Sequence, residues 1–193
     1  GGRTATMNLL EPLFAIDTSN QYQVFLTQPE PSLNSTRGNI KQTVIPFKNR
    51  FLVRLWAQLY LPFQTRGYDL VHFVKNLGVF GVSAKTLVTI YDLTTLIHPE
   101  IFPKFDVWYW KTIQRHTLNQ ADKIIAISNN TATDLVRCYG LPGEKIRVIY
   151  CPYAAYFQPA APAAILAVAK KYRLPENYLI HVGRIDLKKN QTF

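Results

Sequence analysis

Short apolar runs alternate with amphipathic segments along almost the whole chain. Asp69–Phe73, Lys85–Ile90, Lys123–Ile127 and Lys145–Tyr150 are rich in Val, Ile and Leu. Such continuous runs suit parallel strands covered on both faces. Tyr22–Thr27 and Gln42–Ile45 are weaker strand candidates. Between them lie segments of helical spacing. Met7, Leu10, Leu13 and Phe14 form one stripe, with Pro12 predicting a kink or an early break. Phe51, Leu52, Leu55, Trp56, Leu59 and Tyr60 form another within Lys48–Phe63. Lys104–Asn119 and Ala163–Tyr172 are further helices, and Asn129–Tyr139 is bounded by Ser128 as N-cap and Gly140 as stop. Gln28–Asn39, with two Pro, two Ser, two Asn and Gly38, reads as a loop. Near the end, Tyr178, Leu179, Ile180 and Val182 predict a buried strand, then a tight loop, then a helix beginning at Asn190.

This alternation predicts a doubly wound α/β fold with a mostly parallel sheet. Ligands of such sheets bind beyond the carboxyl ends of the strands. The loops at Asn76, Tyr91, Ser128 and Gly183 are therefore expected on binding edges. Cys151–Pro162 is rich in Pro and Ala and reads as an inter-domain connection. The expected organisation is a first domain over residues 1–156 and the start of a second over 157–193.

The 193 residues are 48% hydrophobic, with 11 Tyr, 11 Phe and 3 Trp, which supports a packed core and excludes a disordered chain. No apolar run is long enough to span a membrane, and no signal peptide is evident. Cys138 and Cys151 lack metal-ligand spacing; a reduced cytosolic protein is the simpler expectation, although two thiols also permit a disulfide. The net charge of +10 is unevenly placed. Residues 31–68 carry Arg37, Lys41, Lys48, Arg50, Arg54 and Arg66 and no acid, a block suited to an anionic partner.

Two stretches carry candidate chemistry. In the first, Gly183 permits a sharp turn, and Arg184 and Lys189 flank a loop leading to a helix start. A planar guanidinium fork, a point charge and a helix N-terminus can together grip a diphosphate. The alternative is a solvated basic loop, and the local sequence leaves both open. In the second, the segment around Lys48, Arg50, Arg54 and Trp56 reads either as a core-packed helix with solvated arginines or as a basic, aromatic helix lying on anionic lipid. No phosphate-binding P-loop, complete dinucleotide fingerprint, Gly-x-Ser-x-Gly or His-Glu-x-x-His is present.

Several blocks, in order, resemble family 4 (group 1) glycosyltransferases. Thr86-Leu-Val-Thr-Ile-Tyr-Asp-Leu93 with His98-Pro-Glu-Ile-Phe-Pro103 resembles the family's acceptor-side segment. Ala121-Asp-Lys-Ile-Ile-Ala-Ile-Ser128, Thr133-Asp-Leu135 and Glu144-Lys-Ile-Arg-Val-Ile149 are similar to its next block. His181-Val-Gly-Arg184 with Lys189-Asn190 is similar to the start of its donor domain, and Gly1-Gly2 followed by Asn8-Leu-Leu10 to its N-terminal glycine loop and first helix.

The resemblance implies half of a GT-B fold, one Rossmann-like domain with a fragment of a second. It implies a retaining, hexosyl-type enzyme that moves a sugar from a nucleotide-diphosphate sugar to a glycan, lipid-linked or polysaccharide-precursor acceptor, usually without a metal. On that reading Gly2, Arg184 and Lys189 meet the donor diphosphate, where cations and N–H groups stabilise the departing charge. Tyr91 and Asp92 are the candidate catalytic residues. Tyr91 stands where many members have His, and Asp92 either orients an acceptor hydroxyl or caps the following turn. His98 is expected to be structural, and Tyr153-Ala154-Ala155 replaces a common junction glycine. The implied setting is cytoplasmic, peripheral at the inner face of a membrane, in cell-envelope polysaccharide synthesis. An anionic membrane is a further expected partner, and nucleic acid is not. The family's first strand and most of its donor domain have no counterpart, so the chain reads as a fragment that is itself inactive. The competing reading is a non-catalytic Rossmann-like module or scaffold using its basic surface for nucleic acid or membrane.

Overall fold

The computed structural model describes residues 2–33, 38–154 and 156–183. The chain divides into two units, Gly1–Pro152 and Tyr153–Phe193. In the first, helix α1 (Gly2–Ile16) leads to strands β1 (Tyr22–Leu26) and β2 (Ile40–Val44). Helix α2 (Arg50–Gln64) then leads to β3 (Leu70–Phe73) and β4 (Lys85–Ile90). A short α3 (Thr94–Ile97) precedes α4 (Lys104–Tyr109), which runs through a π-helical turn at Trp110–Gln114 into α5 (Arg115–Gln120). Strand β5 (Lys123–Ala126), helix α6 (Asn129–Tyr139) and strand β6 (Ile146–Val148) complete the unit.

Every strand pair is parallel, as the apolar runs predicted. The described strands form two sheets, β1-β2 and β3-β4-β5-β6. In the smaller sheet Tyr22 lies opposite Ile40; in the larger, Leu70 pairs with Lys85, Leu87 with Lys123 and Ile124 with Ile146. Among the described residues β1 and β3 each carry a ladder on one side only.

Two apolar clusters hold the unit. Leu10 and Phe14 of α1 close on Leu33, with Tyr22, Val24, Leu26 and Ile40 packed against them. Phe25, on the opposite side of β1, packs on the main cluster instead, so the strand's alternation supplies both. The main cluster is built from Val88, Ile90, Ile124 and Ala126 of the larger sheet, Ala57 and Leu61 of α2, Leu118 of α5 and Leu135 of α6. Ser128 caps α6 by accepting from the Thr131 N–H, and Gly140 ends it at φ 68, as the sequence predicted. The break expected at Pro12 does not occur. α1 continues to Ile16 with the proline ring on its exposed face, where the carbonyl left without a donor can reach water.

The second unit departs further from expectation. Helix α7 (Pro162–Tyr172) is present, but Tyr178–Val182 is not a strand, and Leu179 is 103% exposed. A buried parallel strand needs a ladder partner and two covering layers, and the described part of this unit supplies neither. Arg184, Lys189 and the helix expected at Asn190 lie outside the described residues.

Candidate active site

The strand ends dictate where the chemistry sits. The chain leaves β3 at Val74-Lys75-Asn76, β4 at Tyr91-Asp92 and β5 at Ile127-Ser128, and these three parallel exits lie at the carboxyl edge of one sheet. A small network ties them together. The Asn76 N–H donates to the Thr89 carbonyl at 3.0 Å, and the Asn76 Oδ1 accepts from the Tyr91 N–H at 2.8 Å. Asn76 holds a left-handed φ of 47°, which Asn tolerates better than most residues. From the other side, the Thr131 hydroxyl donates to the Tyr91 carbonyl at 3.0 Å. Tyr91 is thus gripped at its N–H by the β3 exit and at its carbonyl by the first turn of α6.

The N-terminus of α1 completes the group. A Cβ on Gly2 would stand 3.1 Å from Lys75 Cε. That is tighter than ordinary carbon contact, so glycine lets the lysine lie along the start of the helix. The Thr6 hydroxyl lies 2.9 Å from the Gly2 carbonyl, to which it donates, and 3.5 Å from the Tyr91 hydroxyl. Lys75 is exposed and makes no ion pair among the described residues. The arrangement therefore gathers the free N–H groups of a helix start, one cation and one phenol, a setting that favours an anion next to a hydrogen-bonding group.

Of the residues named from sequence, Gly2 and Tyr91 enter this group. Asp92 Oδ1 accepts from the Thr94 N–H at 3.1 Å, capping the following turn, and Oδ2 makes no bond among the described residues. His98 pairs with Glu100 at 3.2 Å on the surface. Lys48 is exposed, whereas Arg50 and Arg54 both reach Asp106 of α4, at 3.0 and 2.8 Å. The Arg54 guanidinium also lies 4.5 Å from the centre of the Tyr109 ring. Trp56 packs against Phe25 and Tyr60 and is partly buried. The loop at Asn76 was expected on a binding edge, whereas Lys75 and Thr6 were not foreseen from the sequence. Lys75 had one available signal, its place directly after an apolar strand in a parallel fold. Among the described residues no group of three His, Cys, Asp or Glu side chains could hold a metal ion, and no helix is long and apolar enough to cross a membrane.

The chain is similar to proteins of named activity. O-antigen chain mannosyltransferase B of Escherichia coli is 25% identical over 107 residues, which cover 55% of this chain and 28% of that one. The serotype-specific mannosyltransferase WbdA of Escherichia coli is 24% identical over 123 residues, 61% of this chain and 15% of that one. The chain spans less than a third of either relative. Among solved structures, Anabaena Alr3699/HepE in complex with UDP-glucose superposes with a TM-score of 0.65 at 17% identity, over 99% of this chain and 51% of that one. A glycosyltransferase from Rickettsia africae ESF-5 gives a TM-score of 0.51 at 20% identity, over 91% and 46%. These likenesses show the fold, a Rossmann-like α/β half. The sequence model of Glycosyltransferase Family 4 matches residues 19–154, most of the chain and all of the larger sheet, and the chain belongs to that family.

Proposed function

We propose that this chain forms the acceptor-side half of a retaining, hexosyl-type glycosyltransferase. The enzyme moves a sugar from a nucleotide-diphosphate sugar to a glycan or lipid-linked acceptor in polysaccharide synthesis. The observation that carries the reading is the juxtaposition of Lys75 with the α1 N-terminus at Gly2, beside the Tyr91 hydroxyl. In the transfer the bond from the anomeric carbon to the diphosphate breaks, and the diphosphate leaves with the electron pair. A bond to the acceptor oxygen forms as that hydroxyl's proton passes to the departing diphosphate oxygen. The departing charge meets the N–H groups of α1 and the Lys75 ammonium. Tyr91 serves as a hydrogen-bonding partner for a sugar or acceptor hydroxyl, and Asp92 offers Oδ2 while its other oxygen holds the turn. With the charge handled by these groups, the proposed chemistry needs no resident metal.

Two of the relatives named above are mannosyltransferases, and the solved Anabaena protein holds UDP-glucose, so a nucleotide-activated hexose is the donor class to test first. We place the reaction in the cytoplasm. The test is calorimetric titration of the full-length protein with UDP, GDP and their hexose conjugates. Lys75→Ala should weaken nucleotide binding at least about tenfold, the effect of losing one charge-assisted contact. Unchanged affinity would remove Lys75 from the site. A folded protein that binds no nucleotide would favour the scaffold reading.

A further inference from the structure

A second concave site lies away from the strand exits. Leu96 of α3, Lys111 of the π-helical turn, Arg115 of α5, and Cys138 and Tyr139 of α6 line a cavity of about 400 Å³. That volume suits a small organic ligand. Neither Lys75, Tyr91 nor Asp92 lines it. Its wall is shaped by a break in helical bonding. The Tyr139 hydroxyl donates to the Trp110 carbonyl at 2.9 Å, taking an acceptor that an α-helix gives to the N–H four residues on. The helix widens into its π turn over Trp110–Gln114, at that same carbonyl. Turns of this kind are rare, and they recur at functional sites.

The charge on the cavity is one-sided. Lys111 and Arg115 are both exposed, and neither belongs to an ion pair among the described residues. Four apart, they share a helix face, where like charges repel. None of the lining residues is acidic, so an anion between the two would relieve that repulsion. The rest of the wall is apolar. Leu96 and Cys138 are half-buried and pack on the main cluster, and Tyr139 is buried with its hydroxyl spent on Trp110. Cys138 and Tyr139 also stand at the carboxyl end of α6, where the helix dipole is negative. An anionic group therefore belongs on the Lys111 and Arg115 side, and its apolar remainder against α6 and α3. A phosphate monoester carries close to two negative charges at neutral pH, which matches two cations, and a guanidinium beside an ammonium suits its oxygens. A carboxylate matches only one of them.

We propose that this cavity binds an organic phosphate monoester with an apolar ester group. The phosphate oxygens meet the Lys111 ammonium and the Arg115 guanidinium, and the ester group lies on Leu96, Cys138 and Tyr139. The site does not rest on the transfer reaction proposed above. It does touch the same local structure: Leu96 stands on the short helix whose first N–H is held by Asp92 at 3.1 Å, so a bound ester bears on the element that leads away from Tyr91.

The probe is phenyl phosphate, titrated calorimetrically into the full chain. It should bind at least about tenfold more tightly than benzoate or inorganic phosphate, which lack the second charge and the apolar group respectively, and phenol should not bind. Lys111→Gln with Arg115→Gln changes only exposed side chains. The double variant should keep the circular dichroism of the parent and bind phenyl phosphate at least about tenfold more weakly. Cys138 gives a local readout, because with Cys151→Ser it is the chain's one thiol. Phenyl phosphate at about ten times its Kd should slow alkylation of Cys138 by iodoacetamide about tenfold. Lys75→Ala should leave both the affinity and the protection unchanged. Failure of phenyl phosphate to bind, equal binding of benzoate or inorganic phosphate, full binding by the folded Lys111/Arg115 variant, or an unprotected Cys138 would overturn the proposal. So would binding that Lys75→Ala abolishes, which would assign the phosphate to the start of α1.

Discussion

The side-chain oxygen of Asn76 accepts the Tyr91 N–H at 2.8 Å, joining the exits of two neighbouring parallel strands. The bond requires Asn76 to adopt its left-handed φ of 47°. Asn76→Ala should lose both the bond and the tolerance of that backbone, at about 2 kcal/mol together. Asn76→Gly should lose only the bond, at about 1 kcal/mol, and Asn76→Asp should stay close to the parent. Urea unfolding of the three variants checks the order. Equal losses for Ala and Gly would show that the backbone conformation carries no cost.

Asp106 is buried and accepts from two arginines, while Arg54 is largely enclosed between it and Tyr109. Removing the carboxylate leaves a mostly buried guanidinium without its partner. Asp106→Ala is expected to cost about 3 kcal/mol, whereas Arg50→Ala, at the exposed member of the trio, should stay within about 1 kcal/mol. Denaturation midpoints of the two variants give the comparison.

Gly78 has no room for a side chain. A Cβ there would lie 2.2 Å from the Thr117 Oγ1 and 2.5 Å from its Cβ. The Thr117 hydroxyl is meanwhile held by the Gln114 carbonyl at 3.0 Å, so it cannot simply swing away. Gly78→Ala should destabilise by about 2 kcal/mol or more. Adding Thr117→Ala should recover part of the loss, because the Oγ1 is removed but the Cβ remains. A thermal scan of the single and double variants tests the contact. A strictly additive pair would show that the two residues do not collide.

Burial pushes His72 down to about 4, and its Nε2 lies 2.8 Å from the Thr89 hydroxyl. The unfolded chain takes up this proton near the ordinary histidine value of about 6.5, whereas the folded protein resists it. In the window from about pH 6.5 down to about 4 the unfolded state therefore binds more protons, and stability falls as pH falls. The contribution lost is on the order of 3 kcal/mol. His72→Gln should flatten that part of the profile of unfolding free energy against pH. An unchanged slope would assign the acid sensitivity to carboxylates elsewhere.

Much of this molecule is legible without coordinates. The strands at Leu70–Phe73, Lys85–Ile90 and Lys123–Ala126 follow from runs of Val, Ile and Leu, because strands covered on both faces leave few polar positions. The limits of α6 follow from Ser128 and Gly140, because capping and a left-handed stop are local events. Parallel pairing then placed Tyr91 at a carboxyl edge. Gly2 was found through a likeness of pattern, not through any local chemistry it shows alone.

Local patterns thus mark most of the strands and helices, and which side chains share a face of each. Which face turns inward is settled by packing between segments. In α2 the apolar stripe is plain in sequence, yet Arg54 and Gln58 face inward because Asp106 and the Gly78 carbonyl, distant along the chain, offer them partners there. The stripe is left outside as a result. The same holds for Lys75, an ordinary loop lysine until the fold brings it against the start of α1. It holds in reverse for Tyr178–Val182, apolar enough for a strand but exposed, with no ladder partner among the described residues. Periodicity is a property of one segment, whereas burial and pairing are properties of two, and the second partner is supplied only by folding.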